Sequence, residues 1–298
     1  MNRSKIIFIT KKSGGFANRL WQYSYFLAYS KEHNIFVINP TFDEYREYFI
    51  GTKNNLSLST LFNVFSIHND FLLNFILFLR TFSKWGKRRF SFFNKNILIK
   101  SIKSTDPVNM DHKSWGRKIN NKNIIFVDGW RIRCNISLNK HKQYIKSYFQ
   151  PLESHRKNII NLLQPIKSDF EIVIGLHMRR ADYESVYPDL YFTFQQYGEF
   201  MDRIKNYFKK QKVAFLLCSD EKIEKKYFSK RICFYSTGHF IEDMYALSQC
   251  NYIFGVSSTY SLWASFVGNV PIYLINESNL IINKDNFWIC DGLGLEGE

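Results

Sequence analysis

Short apolar runs and longer amphipathic stretches alternate along this chain. Lys5–Thr10 (KIIFIT) has the length and composition of a buried strand, and Gly14-Gly15 reads as a turn. Phe16–His33 places Phe16, Leu20, Tyr23 and Leu27 on one stripe at helical spacing, and Ile35–Asn39 reads as a second strand ended by Pro40. That opening is a βαβ unit. Residues 41–120 are less regular, with a helix-like Leu72–Arg80 leading into the basic run Lys84-Trp85-Gly86-Lys87-Arg88-Arg89. Ile124–Asp128 is a further strand, a helix is expected around His141–Phe149, and Pro151 marks a hinge.

The second half is more regular. Glu171–His177, Val213–Ser219, Ile232–Tyr235, Tyr252–Val256 and Pro271–Ile275 are short strand-like runs, separated by helical stretches near 192–210, 240–250 and 259–268. Strands alternating with helices of that length predict a parallel sheet covered on both faces. With a break near 151–168, the expectation is an α/β protein of two Rossmann-like domains, 1–150 and 151–298, facing a cleft. Ligands then lie beyond the carboxyl ends of the strands.

Composition narrows the class. Of 298 residues, 45% are hydrophobic and 18% aromatic, enough apolar surface to exclude a disordered chain. The net charge is +15, and it is one-sided: residues 1–150 hold 25 Lys/Arg against 8 Asp/Glu, the remainder 16 against 18. A basic first half attracts polyanions, whether nucleic acid, an anionic membrane or an acidic lipid-linked substrate. No nucleic-acid motif accompanies the charge, so nucleic acid is not an expected partner. Phe71–Leu79 is too short to span a bilayer, but with Lys84–Arg89 it is a candidate interfacial anchor, set against a core helix with a solvated loop. The five cysteines form no CxxC pair and the N-terminus carries no signal-peptide core. The expected location is cytoplasmic, with a peripheral contact on the inner membrane face as an option.

The densest chemistry is at the exit of Glu171–His177, in Gly175-Leu176-His177-Met178-Arg179-Arg180-Ala181-Asp182-Tyr183. Two adjacent guanidinia offer fork-shaped donors that stay charged at neutral pH, which suits a diphosphate leaving group. Strand alternation puts His177 and Arg179 on one face and Met178 and Arg180 on the other, so the two arginines are expected to do different work. The competing expectation is an Arg180–Asp182 surface ion pair and a His177 satisfied in the core. At Gly14-Gly15 a strand, a glycine turn and a helix start make a candidate anion site, with Asn18, Gln22 and Tyr25 as a polar stripe. It matches neither GxGxxG nor a Walker loop, which disfavours a nicotinamide or ATP site. Ser257-Ser258-Thr259 stand where helix caps and phosphate ligands both belong, and Ser219-Asp220-Glu221 could hold a ribose or base or form a surface turn.

Taken in order, these segments resemble the bacterial α1,2-fucosyltransferases of glycosyltransferase family 11. Gly14-Gly15-Phe16-Ala17-Asn18-Arg19-Leu20-Trp21-Gln22-Tyr23 is similar to a GGLGNQMFQY pattern, and Asp128-Gly129-Trp130 stands near a GYFQ-like turn. His177-Met178-Arg179-Arg180-Ala181-Asp182-Tyr183 matches HxRRxDY, Cys218-Ser219-Asp220-Glu221 stands against FSDD, and Ser257–Ala264 against NSSFSWWxA. The chain departs from these patterns at Arg19, Ala181, Val256 and Leu262, positions that bear more on sugar and acceptor than on reaction class.

The resemblance implies a GT-B-like fold and an inverting, metal-independent transfer of L-fucose from GDP-L-fucose to a sugar hydroxyl, in α1,2 linkage to galactose. The acceptor would be a glycan or lipid-linked oligosaccharide, as in O-antigen biosynthesis. No cofactor is expected, and the absence of a DxD triplet agrees with a metal-free site. The implied catalytic residues are Arg179, Arg180, Asp182 and His177. The implied donor-binding residues are Gly15, Asn18, Arg19, Tyr183, Ser219, Asp220, Asp243, Ser257, Ser258 and Thr259. Arg179 and Arg180 would take up charge on departing GDP. Asp182 is read as an orienter of arginine, and the general base is left open among Asp182, Glu184 and His177. A transferase using another GDP-6-deoxyhexose such as GDP-colitose, or a non-enzymatic basic module, are the alternatives.

Overall fold

The computed structural model describes residues 5–54, 97–101, 107–120 and 122–294. The chain divides into two compact units, Met1–Gln150 with Gly292–Glu298, and Pro151–Asp291. The final residues, assigned from sequence to the second domain, thus belong to the first unit. Their anchors are specific: the Leu293 N–H donates to the buried Tyr25 hydroxyl at 2.6 Å, and Arg133 Nε donates to the Gly294 carbonyl at 3.1 Å.

In the first unit, β1 (Ile6–Ile9), β2 (Phe36–Ile38), β3 (Ile97–Ser101) and β5 (Ile124–Asp128) form a parallel sheet in the order β2-β1-β5-β3. Two-residue strands β4 (Val108–Asn109) and β6 (Ile132–Arg133) pair separately. Helix α1, Phe16–His33, follows the Gly14-Gly15 turn and ends at Asn34, whose left-handed φ of 51° is a common stop for a helix. Gly14 has φ 64°, a left-handed conformation that favours glycine, and a Cβ there would also push on the Asn18 amide. Gln22 and Tyr25, expected on a polar stripe, are buried, and Gln22 Nε2 donates to the Gly129 carbonyl at 2.5 Å. Phe42, Phe49 and Phe149 pack edge to face and offset nearby, with centroids 5.5–6.1 Å apart.

The second unit is a five-stranded parallel sheet, β11-β10-β7-β8-β9, built from β7 (Ile172–Met178), β8 (Val213–Ser219), β9 (Cys233–Tyr235), β10 (Tyr252–Gly255) and β11 (Ile272–Leu274). The central strands are buried along almost their whole length, as strands covered on both faces must be. The region read as a break is instead helix α2, Glu153–Asp169. Its apolar stripe is thin, with Ile159, Leu163 and Ile166 buried, and Pro165 lies inside it, where it removes the hydrogen bond an N–H would donate to the carbonyl four residues earlier. Helix α3, Phe194–Tyr207, opens with a capping box from Thr193 and Gln196 and buries Phe194, Tyr197, Phe200, Met201 and Ile204. Helices α4, Phe240–Leu247, and α5, Thr259–Gly268, complete the unit.

All five cysteines are free thiols, four of them buried. No helix among the described residues is long and apolar enough to cross a membrane. The expected segments Leu72–Arg80, Phe71–Leu79 and Lys84–Arg89 lie outside the described residues.

Candidate active site

In the second unit the chain passes from β7 outward to β8 and β9, then returns to the far side of β7 to form β10 and β11. The loops after β7 and β10 therefore diverge, leaving a crevice at the carboxyl ends of these two strands, where open parallel sheets take their ligands. His177 and Met178 end β7 and Arg179 through Tyr183 follow it, Ser257 through Thr259 follow β10, and Ser219 ends β8 with Asp220 and Glu221 after it, so three separated motifs meet at the carboxyl ends of one sheet. The Tyr183 hydroxyl donates to the Ser257 carbonyl at 2.5 Å across the crevice. Gly255 lies opposite His177 in register, and a Cβ on it would come within 2.7 Å of the His177 carbonyl oxygen. Only glycine permits that approach.

The two arginines have different surroundings. Arg180 is buried and every guanidinium nitrogen has a partner. Nε donates to Glu221 at 2.9 Å, Nη1 to the Phe192 carbonyl at 2.5 Å and Nη2 to the Tyr191 hydroxyl at 2.6 Å. Its Cζ lies 4.2 Å from the centre of the Phe194 ring and 4.7 Å from that of Tyr191. The Arg179 side chain is 30% exposed, pairs with Asp220 and, at 2.5 Å, with Asp182, and lies 5.5 Å from the Tyr183 ring centre. The ion pair expected between Arg180 and Asp182 is thus made by Arg179 instead. The strand ends at Met178, so alternation no longer governs the two residues beyond it.

Asp220 holds this turn together. One carboxylate oxygen accepts the Arg180 N–H at 2.8 Å and the Ala181 N–H at 3.4 Å, while the other accepts from Arg179. Ser219 Oγ donates to the Met178 carbonyl at 3.0 Å and accepts the Glu221 N–H at 3.2 Å, tying β8 to β7. His177 is buried and stacks on Tyr260 with centroids 5.0 Å apart; its Nδ1 is enclosed with no hydrogen-bond partner. Burial pushes its pKa down to about 4, so the ring is neutral and a weak base. Ser258 caps α5, accepting the Tyr260 N–H at 3.3 Å, and Thr259 is the first residue of that helix.

Asp243, in the first turn of α4, reaches the turn after β9, accepting from Ser236 Oγ at 2.8 Å, Thr237 Oγ1 at 3.2 Å and the Gly238 N–H at 3.1 Å. Burial raises its pKa even though these donors favour the carboxylate. Gly15 caps α1 in the first unit, and Asn18 lies one turn into that helix. Arg19 is buried there, donating to the Thr41 carbonyl at 3.2 Å and the Tyr45 hydroxyl at 2.7 Å and pairing with Glu44. Its guanidinium is spent on the 3-10 helix Pro40–Tyr48. Sequence reasoning missed Tyr191, Phe192 and Phe194, which enclose Arg180. No spacing rule links that aromatic run to an arginine more than ten residues earlier.

The sequence profile of Glycosyl transferase family 11 matches residues 3–287. No curated protein matches the sequence. Among solved structures, FUT1 of Arabidopsis thaliana in complex with GDP superposes with a TM-score of 0.58 at 11% identity, covering 95% of this chain and 73% of that one. The α-1,6-fucosyltransferase NodZ of Bradyrhizobium, soaked with GDP-fucose, gives 0.50 at 14% identity, with 93% and 97% covered. POFUT1 in complex with GDP gives 0.52 at 11% identity, with 91% and 98% covered. These likenesses show a shared GT-B-like fold, and the profile match extends over nearly the whole chain. The chain belongs to glycosyl transferase family 11.

Proposed function

We propose that this protein transfers L-fucose from GDP-L-fucose to a sugar hydroxyl of a glycan or lipid-linked oligosaccharide, with inversion at the anomeric carbon and in α1,2 linkage to galactose. The observation that carries the reading is Arg179, a partly exposed guanidinium at the mouth of the β7/β10 crevice, held by two carboxylates that an incoming diphosphate can replace. The GDP and GDP-fucose complexes of proteins with the same fold support it.

The local charge explains how such a site would respond to its ligand. Two arginines face Asp182, Asp220 and Glu221, so both guanidinia are already paired and the resting cluster carries one more negative charge than positive. A diphosphate gains affinity by taking Arg179 from a carboxylate, and Asp182, the more exposed partner, is the easier to displace. Arg180, with its nitrogens engaged, holds the turn that presents Arg179, and the N-terminus of α5 adds partial positive charge on the other side of the crevice. In transfer the bond from C1 of fucose to the β-phosphate oxygen breaks and its electron pair leaves on GDP. The acceptor oxygen bonds to C1 from the opposite face and gives up its proton to a base. Asp182 and Asp220 both orient Arg179, and His177 is a weak base, so none of these three is assigned that role. Ser219, Tyr183, Asp243, Ser257, Ser258 and Thr259 are proposed to shape the donor site directly or through the contacts described, and Gly15, Asn18 and Arg19 are proposed as the donor-binding residues of the first unit.

The test is a transfer assay with labelled GDP-fucose against GDP-colitose and UDP-galactose, over a panel of galactose-terminated acceptors in EDTA. Transfer from GDP-fucose with an inverted product supports the reading. Preference for GDP-colitose keeps the chemistry and changes the sugar, activity restored by Mg²⁺ or Mn²⁺ after loss in EDTA contradicts the metal-free mechanism, and no transfer from any donor contradicts the proposal. Vesicle co-sedimentation tests the proposed peripheral membrane contact, which predicts retention by anionic lipid over neutral lipid.

A further inference from the structure

The first turns of α2 and α4 meet at a cluster whose residues are not among those proposed for the transfer reaction. His155 in α2 and His239, the cap of α4, stack with ring centroids 4.7 Å apart and an interplanar angle of 27°. Glu242, in the first turn of α4, is buried, and its Oε1 lies 2.8 Å from His155 Nδ1 and 2.7 Å from Asn158 Nδ2. One potential donor atom from each of His155, His239 and Glu242 lies within 4.8 Å of the others, so a single cation can be reached by all three. From this geometry we infer that His155, His239 and Glu242 form a transition-metal site, with Zn²⁺ as the fitting ion, apart from the β7/β10 crevice.

The donor chemistry is the argument. Two imidazoles and one carboxylate make the ligand set that divalent zinc takes in three-ligand sites, with water in the fourth position. Zinc bonds of about 2.0–2.2 Å put tetrahedral ligand atoms roughly 3.4 Å apart. The present spacing therefore has to close by about an ångström or a little more, within the reach of side-chain rotation for two histidines that are not fully buried. A cation between His155 Nδ1 and Glu242 replaces the hydrogen they share, and that proton moves to Nε2 of the same ring. His239 Nδ1 accepts the Ile241 N–H at a long 3.3 Å, a bond that a metal can outcompete. Asn158 supplies the outer-shell donor that holds the ligating carboxylate in place. Bound metal would clamp the start of α2 to the start of α4, beside the Ser236–Gly238 turn that Asp243 holds.

The experiment is a titration of the full-length protein with ZnCl₂, and in parallel with CoCl₂ followed by visible absorption. Wild type, His155→Ala, His239→Ala and, as a control outside the cluster, His112→Ala are compared, after each is shown to unfold normally in EDTA. The inference predicts one Zn²⁺ per chain. Affinity should fall at least 10-fold in either cluster variant and stay unchanged in His112→Ala, and the Co²⁺ spectrum should be that of a nitrogen and oxygen site. Substoichiometric binding, equal affinity in wild type and cluster variants, or a thiolate charge-transfer band pointing to cysteine would each overturn it. Because the readout is metal binding, failure here is distinct from failure of the transferase reading.

Discussion

The Tyr183 hydroxyl donates to the carbonyl of Ser257 across 2.5 Å, joining the loop after β7 to the loop after β10 directly over the crevice. That one hydrogen bond links the arginine motif to the serine cluster, which the sequence separates by more than seventy residues. Tyr183→Phe keeps the ring beneath Arg179 and removes only the donor. It should cost about 1 kcal/mol of stability and weaken GDP binding several-fold, as read by thermal unfolding and titration. Unchanged binding would mean that the crevice does not need its two walls tied.

Arg180→Ala is expected to destabilise the fold by about 2–4 kcal/mol, because Glu221, the Phe192 carbonyl and the Tyr191 hydroxyl all lose a partner. Arg180→Lys should fail similarly, since an ammonium cannot meet three partners in the plane of a guanidinium. Arg179→Ala, at a more exposed position, should shift the thermal transition little while abolishing transfer. Equal melting behaviour of the two alanine variants would contradict this division of labour.

Asp220 and Asp182 both pair with Arg179, yet only Asp220 also accepts the Arg180 and Ala181 N–H groups. Asp220→Asn should therefore lower GDP affinity more than Asp182→Asn, by 10-fold or more. Paired titrations give the answer directly, and the reverse order would show that the turn after β7 holds its shape without Asp220.

His177 supplies a pH dependence with a defined sign. Its folded pKa is about 4 against an ordinary 6.5, so between these values the unfolded chain binds more protons than the folded one. Stability rises with pH through this window. The contribution is complete above about pH 6.5 and is lost as pH falls toward 4, reaching about 3 kcal/mol. Urea unfolding of wild type and His177→Asn should give a stability difference that shrinks by that amount from pH 7 to pH 4. A constant difference would mean that the ring is not enclosed.

Much of the fold can be read from the sequence because period-two and period-3.6 patterns are local. The strand Val213–Ser219 and the helix Phe16–His33 begin and end where the pattern begins and ends. Helix α2 was hidden because its buried stripe is only Ile159, Leu163 and Ile166 and a proline interrupts it, so the segment looks like a linker. The carboxyl-end motifs were legible as strand exits carrying Arg179, Asp220 and Ser257. Their connections were not. That Arg180 turns inward to Phe192 and Phe194, or that Arg19 is spent on Glu44 and Tyr45, depends on tertiary packing that no spacing in the chain encodes. Arg19 departs from the family pattern, and its partners Thr41, Glu44 and Tyr45 lie in a segment whose irregular pattern gave no element to place it against.

The central claim is that Arg179 receives the diphosphate of a GDP-sugar. Isothermal titration of GDP and UDP into wild type and Arg179→Ala, in EDTA, tests it most directly. The account predicts binding of GDP over UDP by wild type and loss of at least 100-fold in affinity in Arg179→Ala at an unchanged thermal transition. GDP binding of equal strength in the two proteins would contradict it.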